Sequence, residues 1–284
     1  MTLTEARRLF TEKLKGLAPN TQKQKWSVWR KMQAFCKSKN INDISELGLN
    51  MELYAGGLEE YLSGKSVAQT ITVTKIILRE LGIQVEYSYR INRDDIQAHK
   101  LKQAERMFDE AEISRLKEWV MTFDGPKGQQ NAALIFMLIE TGARVGELAN
   151  LKAKDVDLIR NTAWISRSKT QPRPVIFSDK TKDLLTFTNM GDADYVFPGK
   201  EAGIRNVVNG ILESLDLKKN GDGRGPHTFR HWFATNMLFN GGMKPEHLAY
   251  VMGDKVGVVL ETYVHPTPKM LKAVYPRGFF EGKV

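Results

Sequence analysis

Apolar residues in the first hundred positions recur every three or four residues, which is the spacing of amphipathic helices. The clearest example is residues 21–39, where Trp26, Trp29 and Met32 lie on one helical face. Around 83–106 this pattern gives way to a polar segment rich in charge, and we place the end of a first domain there, at about residue 100. Helices are predicted over 3–15, 21–39, 51–62 and 66–81, which makes a bundle of four or five helices.

The remainder of the chain, residues 104–284, mixes helical periodicity with two short alternating stretches. Residues 131–140 are nearly all apolar, which predicts a buried helix, and Gly142 is suited to cap its C-terminus. The stretches 162–166 and 173–177 alternate apolar and polar positions and predict a β-hairpin. Further helices are predicted over 111–122, 145–151, 179–188, 203–215, 228–239 and 244–252. The fold class is therefore mainly α with a small β component.

The net charge of +9 is unevenly distributed along the chain. Residues 1–40 hold ten Lys or Arg against two Glu. A basic helical face interleaved with tryptophan suits a polyanion, and nucleic acid is the commonest one. A solvated surface that only aids solubility is the alternative. The candidate DNA-binding residues are Lys23, Lys25, Arg30 and Lys31.

Several classes of protein fit this sequence poorly. No apolar run approaches the roughly 20 residues that span a bilayer, and the N-terminus lacks the apolar core of a signal peptide. The single cysteine, Cys36, excludes an intramolecular disulfide and a cysteine-based zinc site. Neither a GxxxxGK[ST] phosphate loop nor a GxSxG motif occurs, and the acidic residues and histidines are not spaced as metal ligands. We expect a cytoplasmic, nucleoid-associated protein that uses no metal and no cofactor and has no membrane partner.

Two arginines and a histidine have the character of a phosphate site. His227 and Arg230 are three residues apart on one face, directly after Pro226, where the N–H groups of a helix start favour an anion. Arg144 lies in a turn after the buried helix, and a second guanidinium suits the charge that grows on the non-bridging oxygens of a pentavalent phosphorane. The ordinary alternatives are a packed histidine and a surface arginine that pairs with Glu147.

A tyrosine and a lysine complete the candidate chemistry. Tyr263 lies between the last predicted helix and a proline-containing tail. A phenol titrates near pH 10 and attacks phosphorus only where cations lower the cost of its ionisation, as guanidiniums on the same phosphate do. Lys169, in the predicted hairpin loop, is placed to donate a proton to a leaving oxygen. Each of these residue types is common in packing or surface roles, so the set carries the argument.

As a set, these motifs resemble the tyrosine recombinase (phage integrase) family. The matching segments, in order over about residues 104–270, are TGARVGEL with Arg144, RSKTQPR with Lys169, HTFRHWFAT from His227, Met252-Gly253, and ETYVH with Tyr263. The resemblance implies that residues 1–100 are a helical DNA core-binding domain and that residues 104–284 are the catalytic domain. The first assignment rests on position and character, not on a motif.

The resemblance also implies a role for each residue of the site. Arg144 and Arg230 would bind the scissile phosphate, and Lys169 would be the general acid for the leaving 5′-hydroxyl. His227 would assist proton transfer, and Tyr263 would form a 3′-phosphotyrosyl link. Because that link conserves the energy of the phosphodiester, rejoining would need neither ATP nor metal.

One position departs from the family pattern. Asp254 stands where the family usually has histidine or tryptophan, and a carboxylate there would repel a phosphate. Three interpretations follow: Lys255 supplies the missing donor, Asp254 acts through another residue, or cleavage is slow. We favour the first two. Glu147 and His231 match supporting positions, which orient the arginine and the helix.

The sequence thus predicts a site-specific recombinase that acts on double-stranded DNA in integration, excision or related strand exchange. The resemblance implies a homotetramer on two DNA sites, and an accessory DNA-bending protein is a possible further partner. The alternatives are a type IB topoisomerase-like relaxase and a DNA-binding protein without catalysis. Residues 270–284 are predicted, with equal weight, to dock on a neighbouring protomer or to pack on their own domain.

Overall fold

The computed structural model describes residues 1–168, 171–186, 194–264, 266, 271, 272 and 275. It divides the chain into two compact units, Met1–Leu101 and Lys102–Val284. Helices dominate both units, and the described residues contain a single small sheet. This architecture confirms the predicted fold class. None of the described helices combines the length and the hydropathy that crossing a membrane requires.

The first unit is built from short amphipathic helices around an aromatic core. Trp29 is fully buried and stacks on Phe10 with ring centroids 4.6 Å apart. The four predicted helices are confirmed, and a fifth, α3, is too short to be recognised by its periodicity. The helices of this unit are α1 (Leu3–Leu14), α2 (Pro19–Ser38), α3 (Ile44–Leu49), α4 (Met51–Glu59) and α5 (Gly64–Glu80), and α6 (Arg93–Glu105) begins in it and ends in the second unit. Helix α6 lies in the segment predicted as a boundary. It has no apolar stripe along one face, and none of its residues is buried.

The second unit is organised around α8, whose residues 132–139 are all buried. The predicted buried helix is therefore confirmed, and α7, α10 and α12 pack against it. The helices are α7 (Glu110–Val120), α8 (Gly125–Thr141), α9 (Val145–Leu148), α10 (Asp179–Thr186), α11 (Glu201–Ser214), α12 (Pro226–Phe239), α13 (Pro245–Met252) and α14 (Val256–Thr262).

The predicted hairpin is also confirmed. Strands β2 (Thr162–Ile165) and β3 (Arg173–Ile176) pair antiparallel, with Ala163 opposite Val175. A two-residue strand, β1 (Val156–Asp157), extends the sheet beyond β2 and is too short to show an alternating pattern. Along β3 the alternation directs Arg173 and Val175 to the buried side.

Candidate active site

The turn that carries Arg144 is shaped by the glycine before it. Helix α8 ends at Gly142, which has the left-handed conformation (φ 59°), as predicted for its C-cap. A side chain at Gly142 would collide with the ring of Phe233 on α12, so only glycine lets these helices approach. The Gly142 carbonyl accepts a hydrogen bond from Arg230 Nη1 at 2.7 Å. The turn that carries Arg144 and helix α12, which carries His227 and Arg230, are therefore joined directly.

Both arginines converge on the carboxylate of Asp254. Arg144 Nη2 lies 2.7 Å and Arg230 Nη2 lies 2.6 Å from the same oxygen, Oδ2. The Asp254 side chain is only 7% exposed. This geometry agrees with the interpretation that Asp254 acts through other residues. Lys255 is exposed and directly precedes helix α14, as its N-cap residue.

Arg230 is held rigidly below the surface. Its side chain is 0% exposed, and Nη2 also donates to the Met252 carbonyl at 2.7 Å. Burial and the nearby charge of Arg144 lower the pKa of Arg230, and Tyr263 and Asp254 oppose this shift. A guanidinium keeps its proton in proteins, so the site holds a buried, oriented cation.

Tyr263 lies on this buried cation within the same subunit. The residue caps the C-terminus of α14, and its ring centre is 4.8 Å from Arg230 Cζ. The ring of His231 also packs against the Tyr263 ring, with the two centroids 5.0 Å apart. The supporting position His231 is therefore in contact with the candidate nucleophile, and the candidate nucleophile is in contact with a candidate phosphate ligand.

His227 stands in the first turn of α12 at the edge of this cluster. Its pKa is lowered from 6.5, first because the ring is partly desolvated and then because Arg205, Arg230 and Arg144 disfavour a further positive charge. The ring is therefore neutral at neutral pH. A neutral imidazole can accept a proton at one nitrogen while it donates at the other.

Glu147 holds Arg144 in place through two hydrogen bonds. Its Oε1 accepts from Arg144 Nη1 at 3.1 Å, and its Oε2 accepts from the Arg144 backbone N–H at 2.9 Å. Burial would raise the pKa of Glu147, but hydrogen bonds and charge from Arg173 lower it to about 2. Glu147 is therefore an anion that fixes both the backbone and the side chain of Arg144.

Arg173 belongs to this network and was missed by the sequence analysis. It is 0% exposed, and Nη2 lies 2.7 Å from Glu147 Oε2. One signal was available: the alternation of β3 puts Arg173 on the same side as Val175, and an arginine on a buried face needs an anionic partner.

Lys169, the predicted general acid, lies outside the described residues, as does most of the predicted docking segment 270–284.

Lys25, one of the four predicted DNA-binding residues, does not lie on the exposed face of α2. The residue is buried, and its Nζ lies 2.5 Å from Glu80 Oε1 on α5. The reason is helical geometry: two residues beyond Lys23 the helix has turned by about 200°, so Lys25 points into the bundle. Lys23 and Arg30 are exposed and Lys31 is half-buried. Arg30 and Lys31 follow Lys23 by seven and eight residues, which is about two helical turns, so all three lie on one face of α2.

No group of three or more His, Cys, Asp or Glu that could hold a metal ion occurs in the part of the chain that the structure describes. Among the described residues the site brings together the guanidiniums of Arg144, Arg173 and Arg230, the carboxylates of Glu147 and Asp254, and the neutral imidazole of His227. Such a set can bind an anionic ester through the arginines and present a phenol to it.

Comparison with known proteins places these residues in a family context. The profile described as "Phage integrase family" matches residues 102–270. Tyrosine recombinase XerC of Bacillus subtilis (strain 168) is 23% identical over 280 residues, which cover 87% of each chain.

Two solved structures share the fold. The Tn1549 transposon integrase in complex with transposon right end DNA has a TM-score of 0.67 at 17% identity, over 96% of this chain and 98% of that one. The XerH site-specific recombinase bound to difH substrate has a TM-score of 0.66 at 17% identity, over 96% of this chain and 83% of that one. At such low identity the likeness shows the fold alone.

Proposed function

Because the chain belongs to the phage integrase family of tyrosine recombinases, we propose that it breaks and rejoins DNA at specific sites through a 3′-phosphotyrosyl intermediate. The observation that carries this proposal is the convergence of Arg144 and Arg230 on one oxygen, with Tyr263 stacked on Arg230. Two guanidiniums that already meet at an anionic oxygen are arranged to meet at a phosphate oxygen. The tyrosine on the same cation is then within reach of the phosphorus.

In the proposed reaction the Tyr263 oxygen attacks the scissile phosphorus, and the bond from phosphorus to the 5′-oxygen breaks. Arg144 and Arg230 stabilise the charge that accumulates on the non-bridging oxygens. Lys169 protonates the leaving 5′-oxygen, and His227, neutral at working pH, assists by accepting the proton that the Tyr263 phenol loses as its oxygen attacks. A second 5′-hydroxyl then attacks the phosphotyrosine, which restores a phosphodiester and frees the tyrosine.

Asp254 has an indirect role in this proposal. Its carboxylate holds the two guanidiniums at a common point before DNA is bound, so their mutual repulsion does not separate them. On binding, the scissile phosphate takes the remaining N–H donors of the arginines or displaces the carboxylate from some of them. The histidine or tryptophan that the family usually has at this position is thus replaced by a residue that orders the other two.

We further propose that the first unit, residues 1–100, binds the DNA core site through the face of α2 that carries Lys23, Arg30 and Lys31, while residues 104–284 form the catalytic domain. The exposure of this face and the net charge support the assignment. Two proteins of the same fold have been solved with DNA, which supports duplex DNA as the partner. Four protomers on two sites, as the family resemblance implies, is the proposed assembly.

The direct test is covalent capture. The protein is incubated with a library of nicked duplexes of randomised sequence, in which the cleaved strand loses a short fragment and rejoining is prevented. Complexes that survive denaturation are recovered, the DNA is sequenced, and the modified peptide is identified by mass spectrometry. We expect a single 3′-linked adduct on Tyr263. Tyr263→Phe should abolish it, and Tyr250→Phe, an exposed tyrosine on α13, should not. An adduct that persists in Tyr263→Phe would overturn the mechanism.

The recovered sequence then separates recombination from relaxation. A supercoiled plasmid with two copies of the site should yield recombinant circles of two sizes or inverted products. Relaxation without such products would favour the topoisomerase-like alternative, and binding without any covalent adduct would favour a non-catalytic DNA-binding protein.

A further inference from the structure

Arg173 uses its whole guanidinium in contacts with other segments of the second unit. Nη2 and Nη1 donate to the two oxygens of Glu147 at 2.7 and 3.1 Å, and Nε donates to the Val251 carbonyl at 2.6 Å. Nη1 is also 3.5 Å from Ser168 Oγ. A paired, two-pronged contact of this kind fixes the plane of the carboxylate as well as its position.

The position of Arg173 in the chain makes these contacts informative. It is the first residue of β3, and through its bonds it meets the N-terminal turn of α9 at Glu147 and the C-terminal end of α13 at Val251. Gly253 follows α13 with φ 64°, and a side chain there would lie 2.8 Å from Arg173 Nη1. The guanidinium therefore packs against backbone directly before Asp254.

Stability alone is a weak reason for this arrangement. A fully buried ion pair loses much of its hydration, and well-packed apolar residues in its place are often as stable or more stable. What an apolar pair could not do is hold the second set of bonds that Glu147 makes to Arg144. Both Glu147 oxygens are shared, each between Arg173 and an Arg144 N–H.

We propose that Arg173 is a positioning residue for DNA cleavage: by fixing the plane of Glu147, it sets the orientation in which Arg144 meets the scissile phosphate. The inference rests on the proposed function, since it assigns a task within the same site. Arg173 touches neither the phosphate nor the tyrosine. Its effect is confined to the geometry of Arg144, and a displacement of about 1 Å at a reacting group can slow a reaction by about a hundredfold.

The test uses Arg173→Lys in the full chain, which keeps the buried positive charge and removes the fork. The matched control is Arg160→Lys, an exposed arginine between β1 and β2 that pairs with Asp157. Three quantities are measured: the thermal unfolding of the protein, its affinity for the duplex identified by covalent capture, and the single-turnover rate of adduct formation on that duplex at saturating DNA. For Arg173→Lys we expect affinity within about threefold of wild type and a rate lower by about a hundredfold. The control should match wild type in all three.

A lower rate constant at unchanged affinity distinguishes positioning from a merely structural role, because partial unfolding would reduce the fraction of protein that binds DNA and the amplitude of adduct formation, and would leave the rate constant of the folded fraction unchanged. A second substrate sharpens the assignment. When the bridging 5′-oxygen is replaced by sulfur, the leaving group needs no protonation. A defect at Arg144 should persist with this substrate, whereas full recovery would mean that Arg173 acts on the proton donor and would overturn the proposal.

If Arg173→Lys does not fold, the double variant Arg173→Met with Glu147→Met replaces the pair by apolar residues of similar length. We expect it to fold, to bind DNA and to cleave at least a hundredfold more slowly; cleavage at the wild-type rate would overturn the proposal. Failure of wild-type protein to form an adduct would overturn the proposed function, and the inference with it. Normal wild-type cleavage together with unimpaired Arg173→Lys would overturn the inference alone.

Discussion

The phenol ring of Tyr263 lies over the guanidinium of Arg230, with 4.8 Å between the ring centre and Cζ. Arg230 is 0% exposed, and the tyrosine ring forms part of its cover. The candidate nucleophile and a candidate phosphate ligand are thereby in direct contact. This contact depends on the ring, whereas the proposed chemistry depends on the hydroxyl, so the two can be separated by substitution.

Replacing Tyr263 by phenylalanine should leave stability unchanged to within about 0.5 kcal/mol, because the ring and its contact with the cation remain. Replacement by alanine removes the ring and should lower the free energy of unfolding by about 1–2 kcal/mol. Urea denaturation followed by circular dichroism measures both. Equal stability of the alanine variant and wild type would mean that the stack contributes nothing to the fold.

Asp254→Asn should separate binding from cleavage. The neutral amide removes a negative charge beside the phosphate position, so DNA affinity should increase. The two guanidiniums lose their shared anion, so the single-turnover cleavage rate should fall by about tenfold, or about 1.4 kcal/mol in the barrier. Filter binding and adduct formation on the captured duplex measure the two effects.

The matched control for Asp254 is Glu246→Gln, which makes the same change of charge at an exposed position on α13. It should alter neither quantity by more than about twofold. Asp254→His restores the donor that the family usually has at this position. A cleavage rate that is unchanged in both Asp254 variants would show that the site needs neither the bridge nor the donor.

The pH dependence of cleavage should report His227. Its pKa is lowered from 6.5 by desolvation and by Arg205, Arg230 and Arg144, while Glu201 acts in the opposite direction. The folded protein therefore binds this proton less readily than the unfolded chain, so protonation of His227 destabilises the fold as the pH falls below 6.5. The neutral form is the active one in the proposed mechanism. Cleavage should hence be constant near neutral pH, with an acidic limb at the lowered pKa of His227, below that of an ordinary histidine.

His227→Gln should be slower than wild type and should lose this acidic limb, since the titrating group is gone. His247→Gln, at an exposed histidine on α13, should retain it. Single-turnover rates between pH 5 and 8 provide the measurement. An acidic limb that survives in His227→Gln would assign the titration to another group.

Substitution of two lysines that lie two residues apart on α2 should affect different properties, DNA binding in one case and stability in the other. Lys23→Ala removes an exposed charge from the proposed DNA face and should reduce the slope of log K against log salt by about 0.9 with little effect on stability. Lys25→Met breaks the buried pair with Glu80 and should leave the slope unchanged. Its free energy of unfolding should fall by about 1–2 kcal/mol, less than for a fully buried pair because Glu80 is 34% exposed. A changed salt slope in Lys25→Met would return that residue to the DNA face.

Much of the local structure was predictable because it depends on neighbours in the chain. The apolar run before Gly142 indicated a buried helix and its left-handed cap, and alternation over 162–177 indicated the hairpin. Lys25 shows where local reasoning was incomplete, since charge was counted without assigning it to a helical face. Strand β1 and helix α3 were missed because two and six residues are too few to show a period.

By itself, the amino-acid sequence determined most of the longer helices, the hairpin, the basic N-terminal region and the order of motifs that identifies the family. Only the tertiary structure decided which side chains Asp254 contacts, because its partners Arg144 and Arg230 lie 110 and 24 residues away. The same holds for Arg173, which meets Glu147 across 26 residues. Periodicity and capping act within one or two helical turns, whereas the partner of a buried charge is set by how distant segments pack. The motifs from which the reactive residues are proposed are therefore local information, whereas the network of contacts around them is not.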